Sequence, residues 1–252
     1  MRKVKKPLLF TLALLPAAVA GACFAALMSV ASMEHSQLED AIRQIGSKEL
    51  LVAAGMVQPV LLAVICGFFG YLLAEKIALM RPFRFERSAL YRTLIVSFIG
   101  GGALSLDAWT FANRIPQLAQ SYKSSGSFDC ITWAASILYG GVIEEVMLRL
   151  FFMSLLAFLG WKLFCRTKEV VPTGVLIAAN ILAALAFAAA HLPATLQTFG
   201  TLTPMLLLRC FLLDGAFGLL FGRLYRNHGI QYAMLAHMLL HIVSRTIWLI
   251  AF

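Results

Sequence analysis

Long apolar runs separated by short polar stretches dominate the chain. Seven such runs lie at about 7–31, 51–74, 89–113, 131–160, 172–192, 203–222 and 231–251. Most of them reach the roughly 20 apolar residues that a helix needs to cross a bilayer. The pattern therefore predicts an all-α, polytopic transmembrane bundle of about seven helices, with six to eight as the range that the run ends allow.

The composition supports an integral membrane protein. The chain has 252 residues, of which 61% are hydrophobic and 13% charged, whereas soluble domains carry about 25% charged residues. Spans of this number leave little chain for a soluble domain. We therefore expect one integral membrane unit, divided into N-terminal transmembrane helices (1–130) and a helical core (131–252) that carries the candidate chemistry.

The distribution of basic residues predicts the orientation, because lysine and arginine accumulate in cytoplasmic loops. With the N-terminus in the cytoplasm, most of the basic residues fall on that side: Arg2, Lys3, Lys5, Lys6, Lys76, Arg81, Arg84, Arg87, Arg92, Lys162, Arg166, Lys168, Arg223 and Arg226. The outer side then holds only Arg43, Lys48, Arg114 and Lys123, and the runs contain Arg149, Arg209 and Arg245. We predict a cytoplasmic N-terminus and an outer C-terminus.

The same bias accounts for the net charge of +9. Basic loops that face anionic lipid gain about 1 kcal/mol for each residue near the surface. The sequence contains no recognition motif on a basic soluble module, so nucleic acid is not an expected partner. Membrane lipids are expected partners, and the short loops favour a bacterial inner membrane.

Three charged residues, Glu144, Glu145 and Arg149, interrupt the fourth apolar run in the string EEVMLR. A carboxylate at the centre of a bilayer costs roughly 2.5–3.5 kcal/mol on insertion scales, so such a cluster indicates function. Glu145 and Arg149 are four residues apart and can form an ion pair on one helix face. Glu144 then points into the bundle as a candidate general base. The alternative is a buried charge network that only braces helices.

Histidines mark two later runs. His191 ends the string FAAAH, where a single histidine near a helix end is more often hydrogen-bonded than catalytic. His237 and His241 are four residues apart, so their rings are stacked about 6 Å apart along one face of the last span. That spacing also holds a metal in HExxH helices, although no acid lies between the two histidines here. Two buried rings of this kind favour a functional role.

The run boundaries create a mismatch in depth. They put His191 near the outer end of its helix, about 10 Å from the mid-membrane level of Glu144 and His241. Helix tilting, a misplaced helix start or a break at Gly140 and Gly141 is expected to close this gap.

Other charges fall in or near the spans and need partners. They are Asp107, Arg209, Asp214 and Arg245. We expect them to pair across helices, with Asp214 the best candidate to orient one of the histidines.

The ordered patterns EExxxR, FxxxH and Hxxx followed by a polar residue resemble the CPBP family of intramembrane proteases. That family includes the Ras-converting CAAX endoproteases and bacterial bacteriocin-processing and abortive-infection (Abi) proteins. The resemblance covers the chain from about Ile131 to Ser244. It implies a helical bundle like that of the CAAX proteases, and it leaves the first 130 residues matched only as membrane helices.

The resemblance also implies roles for the marked residues. Glu144 and His191 would activate a water molecule, and Glu145 and Arg149 would support the first glutamate. His237, with its partner four residues later, would stabilise the oxyanion. Peptide hydrolysis needs this combination of a base for water and donors for the developing negative charge.

Position 241 departs from the family pattern, because His241 stands where the family usually has asparagine. A histidine can donate to an oxyanion, but it can also ligate a metal. A zinc site is therefore an open alternative, with the ligands Glu144, His191, His237 and His241.

The expected function is an intramembrane endopeptidase that hydrolyses a peptide bond near the bilayer. Its substrate is expected to be a prenylated CAAX-type protein, or a bacteriocin or signal peptide. A non-catalytic membrane scaffold or immunity protein is a second interpretation, which the sequence leaves open. A proton-coupled transporter is a third, but the inverted repeat typical of such carriers is not visible.

Overall fold

The computed structural model describes residues 2–116, 118–119 and 129–251, so the predicted outer residue Lys123 lies outside the described residues. Every regular element within those ranges is helical, as the apolar runs predicted. In chain order the described helices are α1 (Arg2–Ala31), α2 (His35–Ile45), α3 (Lys48–Lys76), α4 (Arg87–Ser105), α5 (Asp107–Thr110), α6 (130–164), α7 (Thr173–Ala190), α8 (Leu192–Phe199), α9 (Pro204–His228) and α10 (Ile230–Ala251).

All seven predicted runs are helical over most of their length. Five helical segments are long and apolar enough to cross a membrane by length and composition: Val4–Ala31, Lys48–Lys76, Thr173–Phe199, Pro204–His228 and Ile230–Ile250. Helices α4 and α6 occupy the other two runs. The all-α membrane bundle is thus confirmed, and the total of seven spans stays a prediction.

Helix α6, which carries the glutamate pair, is not a plain α-helix. Its parts are an α-helical start (Cys130–Ala135), two π-helical stretches (Ser136–Glu144 and Val146–Met153) and an α-helical end (Ser154–Phe164). A π-helix forms i→i+5 hydrogen bonds, is rare and is frequent at functional sites. The all-helical prediction did not specify this π-helical geometry.

A break at Gly140 and Gly141, one of the three features considered for the depth mismatch, is absent, since α6 runs through both residues. The two glycines instead provide the space in which helix α10 packs against α6. A Cβ atom on Gly140 would lie 3.1 Å from Nε2 of His237, and one on Gly141 would overlap the Met238 side chain. Their missing side chains therefore let the histidine-bearing face of α10 approach α6 closely.

The N-terminal helices α1 and α3 pack on α6. A Cβ atom on Gly21 would lie 2.9 Å from the Leu138 carbonyl carbon, and one on Gly70 would lie 3.0 Å from that of Leu150. Small residues at such contacts let helix backbones approach in a membrane, where packing replaces the hydrophobic effect. Helices α1 and α3 thus support the helix that carries the glutamates.

Helix α9 packs between α7 and α10. The Asn180 side chain of α7 donates a hydrogen bond to the Leu219 carbonyl of α9 at 3.1 Å. A Cβ atom on Gly218 would lie 3.0 Å from Ala184, so this crossing is also close. Helices α6, α7, α9 and α10 consequently surround the predicted chemical residues.

The fifth apolar run, predicted to end at residue 192, extends further in the structure. Helix α7 ends at Ala190, but α8 continues from Leu192, and the apolar segment extends from Thr173 to Phe199. Pro193 does not end the helical path because proline is tolerated in the first turn of a helix such as α8. His191 therefore lies inside this apolar segment and not at its end.

Candidate active site

Glu145 is the centre of a buried chain of polar contacts. Its side chain is 0% exposed, and its Oε2 atom lies 3.4 Å from Nε of Arg149. The ion pair predicted from the four-residue spacing is therefore present. Its other oxygen, Oε1, lies 2.9 Å from Nδ1 of His237 on α10. This second contact joins two helices and was not predicted.

The carboxylate of Glu145 determines which nitrogen of His237 carries the proton. An ionised carboxylate only accepts hydrogen bonds, so Nδ1 of His237 is the donor. In the neutral ring the Nε2 atom is then the acceptor. It lies 3.1 Å from Nε2 of His241, which we infer to be the donor in this contact.

The two histidines form the stacked pair that their spacing predicted. Their ring centroids are 5.0 Å apart with an interplanar angle of 28°. Phe221 of α9 stacks on His237, with centroids 4.6 Å apart and an interplanar angle of 21°. The His237 ring is thus held by an aromatic face and by hydrogen bonds at both nitrogens.

Arg149 lies against two phenylalanine rings and is 1% exposed. Its Cζ atom lies 4.3 Å from the centroid of Phe187 and 5.6 Å from that of Phe221. Cation–π contacts of this kind are worth 2 kcal/mol or more when desolvated, as an order of magnitude. Within the described residues its Nη1 and Nη2 atoms have no hydrogen-bond partner. The aromatic rings and Glu145 therefore stabilise the buried charge.

His191 lies at the junction of α7 and α8 and is half-buried. Its Nδ1 atom lies 2.8 Å from the carbonyl oxygen of Phe187. A carbonyl only accepts, so Nδ1 carries the proton and Nε2 is left as an acceptor. The Phe187 ring contacts both His191, at 4.8 Å between centroids, and His237, at 6.0 Å. Phe187 thus connects the two histidine-bearing segments.

Glu144 is half-buried, in contrast to its neighbour Glu145. Its carboxylate interacts electrostatically with Arg149, His191 and His237. Among the described residues it makes no hydrogen bond or ion pair, so it remains available to water or a substrate. The structure thus gathers all six predicted residues around one region of the bundle.

Among the remaining charges, one pair forms across helices as predicted. Asp107 and Arg209 form a bidentate contact across helices, with distances of 2.6–3.0 Å. Asp214 accepts a hydrogen bond from the Cys210 thiol at 3.3 Å and interacts electrostatically with His191. A role for Asp214 in orienting that ring stays a prediction. Arg245 interacts electrostatically with Asp129.

The arrangement does not match a four-ligand zinc site. Within the described part of the chain no three His, Cys, Asp or Glu side chains come together in a way that could hold a metal ion. The His237 nitrogens that zinc would need are directed at Glu145 and His241. The zinc alternative stays a prediction.

Sequence reasoning missed Phe221 and Gly218. Both lie on α9, where Gly218 and Gly222 form a GxxxG pattern that favours close helix contacts in membranes. A Cβ atom on Gly218 would lie 3.4 Å from Nη2 of Arg149. That pattern could have indicated that α9 packs on the charged cluster.

Residues 126–243 match the model of a protein family described as Rce1-like, type II CAAX prenyl endopeptidase Rce1-like. The matched segment includes all six candidate residues. No curated protein and no solved structure gives a significant match to the chain.

Proposed function

We propose that this chain, of which residues 126–243 match the Rce1-like family of type II CAAX prenyl endopeptidases, hydrolyses a peptide bond of a prenylated, CAAX-type protein at the membrane. The family supports a CAAX-type intramembrane endopeptidase in general. The substrate and the roles of the individual residues are our proposal. A bacteriocin or signal peptide is the alternative substrate.

Water activation is assigned to Glu144 and His191. The Glu144 carboxylate has no internal partner, and the Nε2 atom of His191 is left as an acceptor by the contact of Nδ1 with Phe187. His191 can accept a hydrogen bond from a water molecule and orient it, while Glu144 takes a proton from it. Such general base catalysis typically contributes about 10²–10⁴-fold to the rate.

Hydrolysis then proceeds by attack of water on the substrate carbonyl and collapse of the resulting oxyanion. As Glu144 takes the proton, the water oxygen bonds to the carbonyl carbon of the substrate, and the carbonyl π electrons move to oxygen. Collapse of this oxyanion breaks the carbon–nitrogen bond. The leaving nitrogen receives the proton from Glu144, which regenerates the base.

Oxyanion stabilisation is assigned to the histidine pair. Because Glu145 fixes the proton of His237 on Nδ1, the neutral pair has a single Nε2 hydrogen, which belongs to His241. In the transition state this N–H group can donate its hydrogen bond to the oxyanion instead of to Nε2 of His237. His241 thereby supplies the donor that an asparagine amide would supply at the same position.

Glu145 and Arg149 act as positioning residues in this proposal. The resemblance implies that they support Glu144, whereas the contacts favour support of His237. A carboxylate that orients a histidine in this way is familiar from Ser-His-Asp hydrolases. The Glu145–His237 contact, which joins α6 and α10 at the candidate residues, is the single observation that carries the proposal.

The test is cleavage by the purified full-length protein reconstituted in liposomes. A farnesylated CAAX peptide and the same peptide without the prenyl group are offered, and products are identified by mass spectrometry. We expect cleavage near the prenylated cysteine, and a loss of at least about 100-fold in the His191→Gln variant. If wild-type protein cleaves neither peptide, and the His191→Gln variant keeps the cellular function of the protein, a non-catalytic scaffold is favoured instead.

A further inference from the structure

The segment between α3 and α4 presents arginines and phenylalanines together. Residues 81–87, with the sequence RPFRFER, are called the arginine–phenylalanine segment here. The segment is non-helical up to Glu86, and all of its residues are exposed. Phe83 is 64% exposed and Phe85 is 75% exposed. Two large apolar rings are thus presented beside three guanidinium groups.

Hydrogen bonds to the bundle hold the arginine–phenylalanine segment in the conformation that exposes its side chains. The Tyr232 hydroxyl, at the start of α10, accepts a hydrogen bond from the Glu86 amide at 2.7 Å and donates one to the Arg84 carbonyl at 3.0 Å. Before the segment, the Leu79 amide donates to the Ala74 carbonyl at 2.8 Å, and the Leu79 side chain is buried. Both ends of the segment are therefore tied to the bundle.

Positive charge surrounds the segment. His228 at the end of α9 interacts electrostatically with Arg81 and Arg92, and it lies 3.8 Å from the Glu86 carboxylate. Further basic residues lie towards the ends of α3 and α9: Lys76, Arg223 and Arg226. Glu86 is the single acid within the segment itself. The local field therefore attracts anions.

The combination of groups favours a lipid over a soluble anion. Guanidinium groups bind phosphate oxygens through paired hydrogen bonds. When a soluble anion binds, the neighbouring phenyl rings stay exposed to water. When the anion is a lipid headgroup, the same rings are buried at the boundary between the headgroups and the acyl chains. The segment also lies at helix ends, where a membrane surface meets the bundle.

We propose that the arginine–phenylalanine segment is a binding site for an anionic phospholipid. Arg81, Arg84 and Arg87 contact the headgroup phosphate, and Phe83 and Phe85 contact the upper acyl chains. The site anchors the ends of α3, α4, α9 and α10 to the lipid surface. This inference is independent of the proposed peptidase activity.

Native mass spectrometry of the detergent-purified full-length protein tests the site. Phosphatidylglycerol and phosphatidylcholine are titrated into wild type, into the triple variant Arg81→Gln, Arg84→Gln, Arg87→Gln, and into a matched control. The control, Lys162→Gln, Arg166→Gln, Lys168→Gln, removes three exposed basic groups from the end of α6 and the loop that follows it. Tyr232 and Glu86 are unchanged, so the segment keeps its ties to the bundle.

We expect the affinity for phosphatidylglycerol to fall about tenfold or more in the segment variant and less than about twofold in the control. Binding of phosphatidylcholine should be equal in all three proteins. An equal loss in segment variant and control would overturn the site in favour of diffuse charge. Equal affinity of wild type and segment variant for phosphatidylglycerol would overturn it as well.

A second variant, Phe83→Ser with Phe85→Ser, separates lipid from free phosphate. The proposal predicts weaker binding of phosphatidylglycerol with unchanged binding of soluble glycerol phosphate. If both ligands bind the Phe variant as they bind wild type, the segment is a phosphate site without a lipid component, and the proposal fails.

Discussion

Nδ1 of His237 lies 2.9 Å from Oε1 of Glu145, although the two residues are 92 positions apart in the chain. Glu145 in turn contacts Arg149, and His237 contacts His241. The result is a continuous polar chain from a buried cation to a histidine pair. Glu145, Arg149 and His237 are buried, so each of the three depends on its neighbours for stability.

Replacing Glu145 with glutamine should damage stability and activity together. The substitution removes the countercharge of buried Arg149, and breaking a buried pair costs about 3–5 kcal/mol. We expect a clear fall in the thermal midpoint of the reconstituted protein. Adding Arg149→Met should recover much of that stability without recovering cleavage, because His237 still lacks its orienting carboxylate. A stable, active Glu145→Gln protein would contradict this account of the polar chain.

Position 241 allows a conservative test of the oxyanion donor. In the His241→Asn variant an amide N–H replaces the Nε2 hydrogen, so cleavage should stay within about tenfold of wild type. In His241→Ala the donor is lost, and a single oxyanion donor is typically worth about 10²–10³-fold in kcat. The measurement is kcat for both variants. Equal losses in the two would show that the imidazole is needed for another reason.

Removal of metal ions separates direct water activation from zinc chemistry. We expect the reconstituted enzyme to keep its activity after dialysis against a strong chelator, because the described residues do not form a metal-binding cluster. Elemental analysis of the dialysed protein accompanies the assay. A loss of activity that zinc restores would favour the site formed by Glu144, His191, His237 and His241.

Gly141 should be intolerant of even a methyl group. A Cβ atom there would overlap Met238 and force α10 away from α6, and overpacking of this kind costs about 1–3 kcal/mol. We expect Gly141→Ala to lower the thermal midpoint and to weaken cleavage. Gly102→Ala on α4 is the matched control, since nothing lies within 4 Å of its added Cβ. Rescue of Gly141→Ala by Met238→Ala would identify the clash as the cause.

Parts of the site could be predicted because they depend on local spacing. Glu145 and Arg149 are four residues apart, and so are His237 and His241, which fixes both contacts within single helices. The cost of burying charge in lipid also predicted that Asp107 would find a partner across helices. Such features need no knowledge of how the helices pack.

Other parts depend on packing and could not be read from the sequence. The Glu145–His237 contact requires α6 and α10 to approach, which the glycine pair at 140 and 141 permits but does not dictate. The π-helical geometry of α6 is likewise absent from the apolar pattern, which has no signal for i→i+5 hydrogen bonding. The fifth run was predicted to end at residue 192, so the continuation of the apolar segment through α8 was missed.

The most direct test of the central claim is the cleavage rate of Glu144→Gln in liposomes, beside wild type and the exposed control Glu75→Gln. The variant keeps the shape of the side chain and removes its ability to take a proton. We expect a loss of about 10²–10⁴-fold in kcat, with a thermal midpoint and a membrane content like those of wild type, and no loss in the control. Cleavage by Glu144→Gln at the wild-type rate would contradict the assignment of Glu144 as the base.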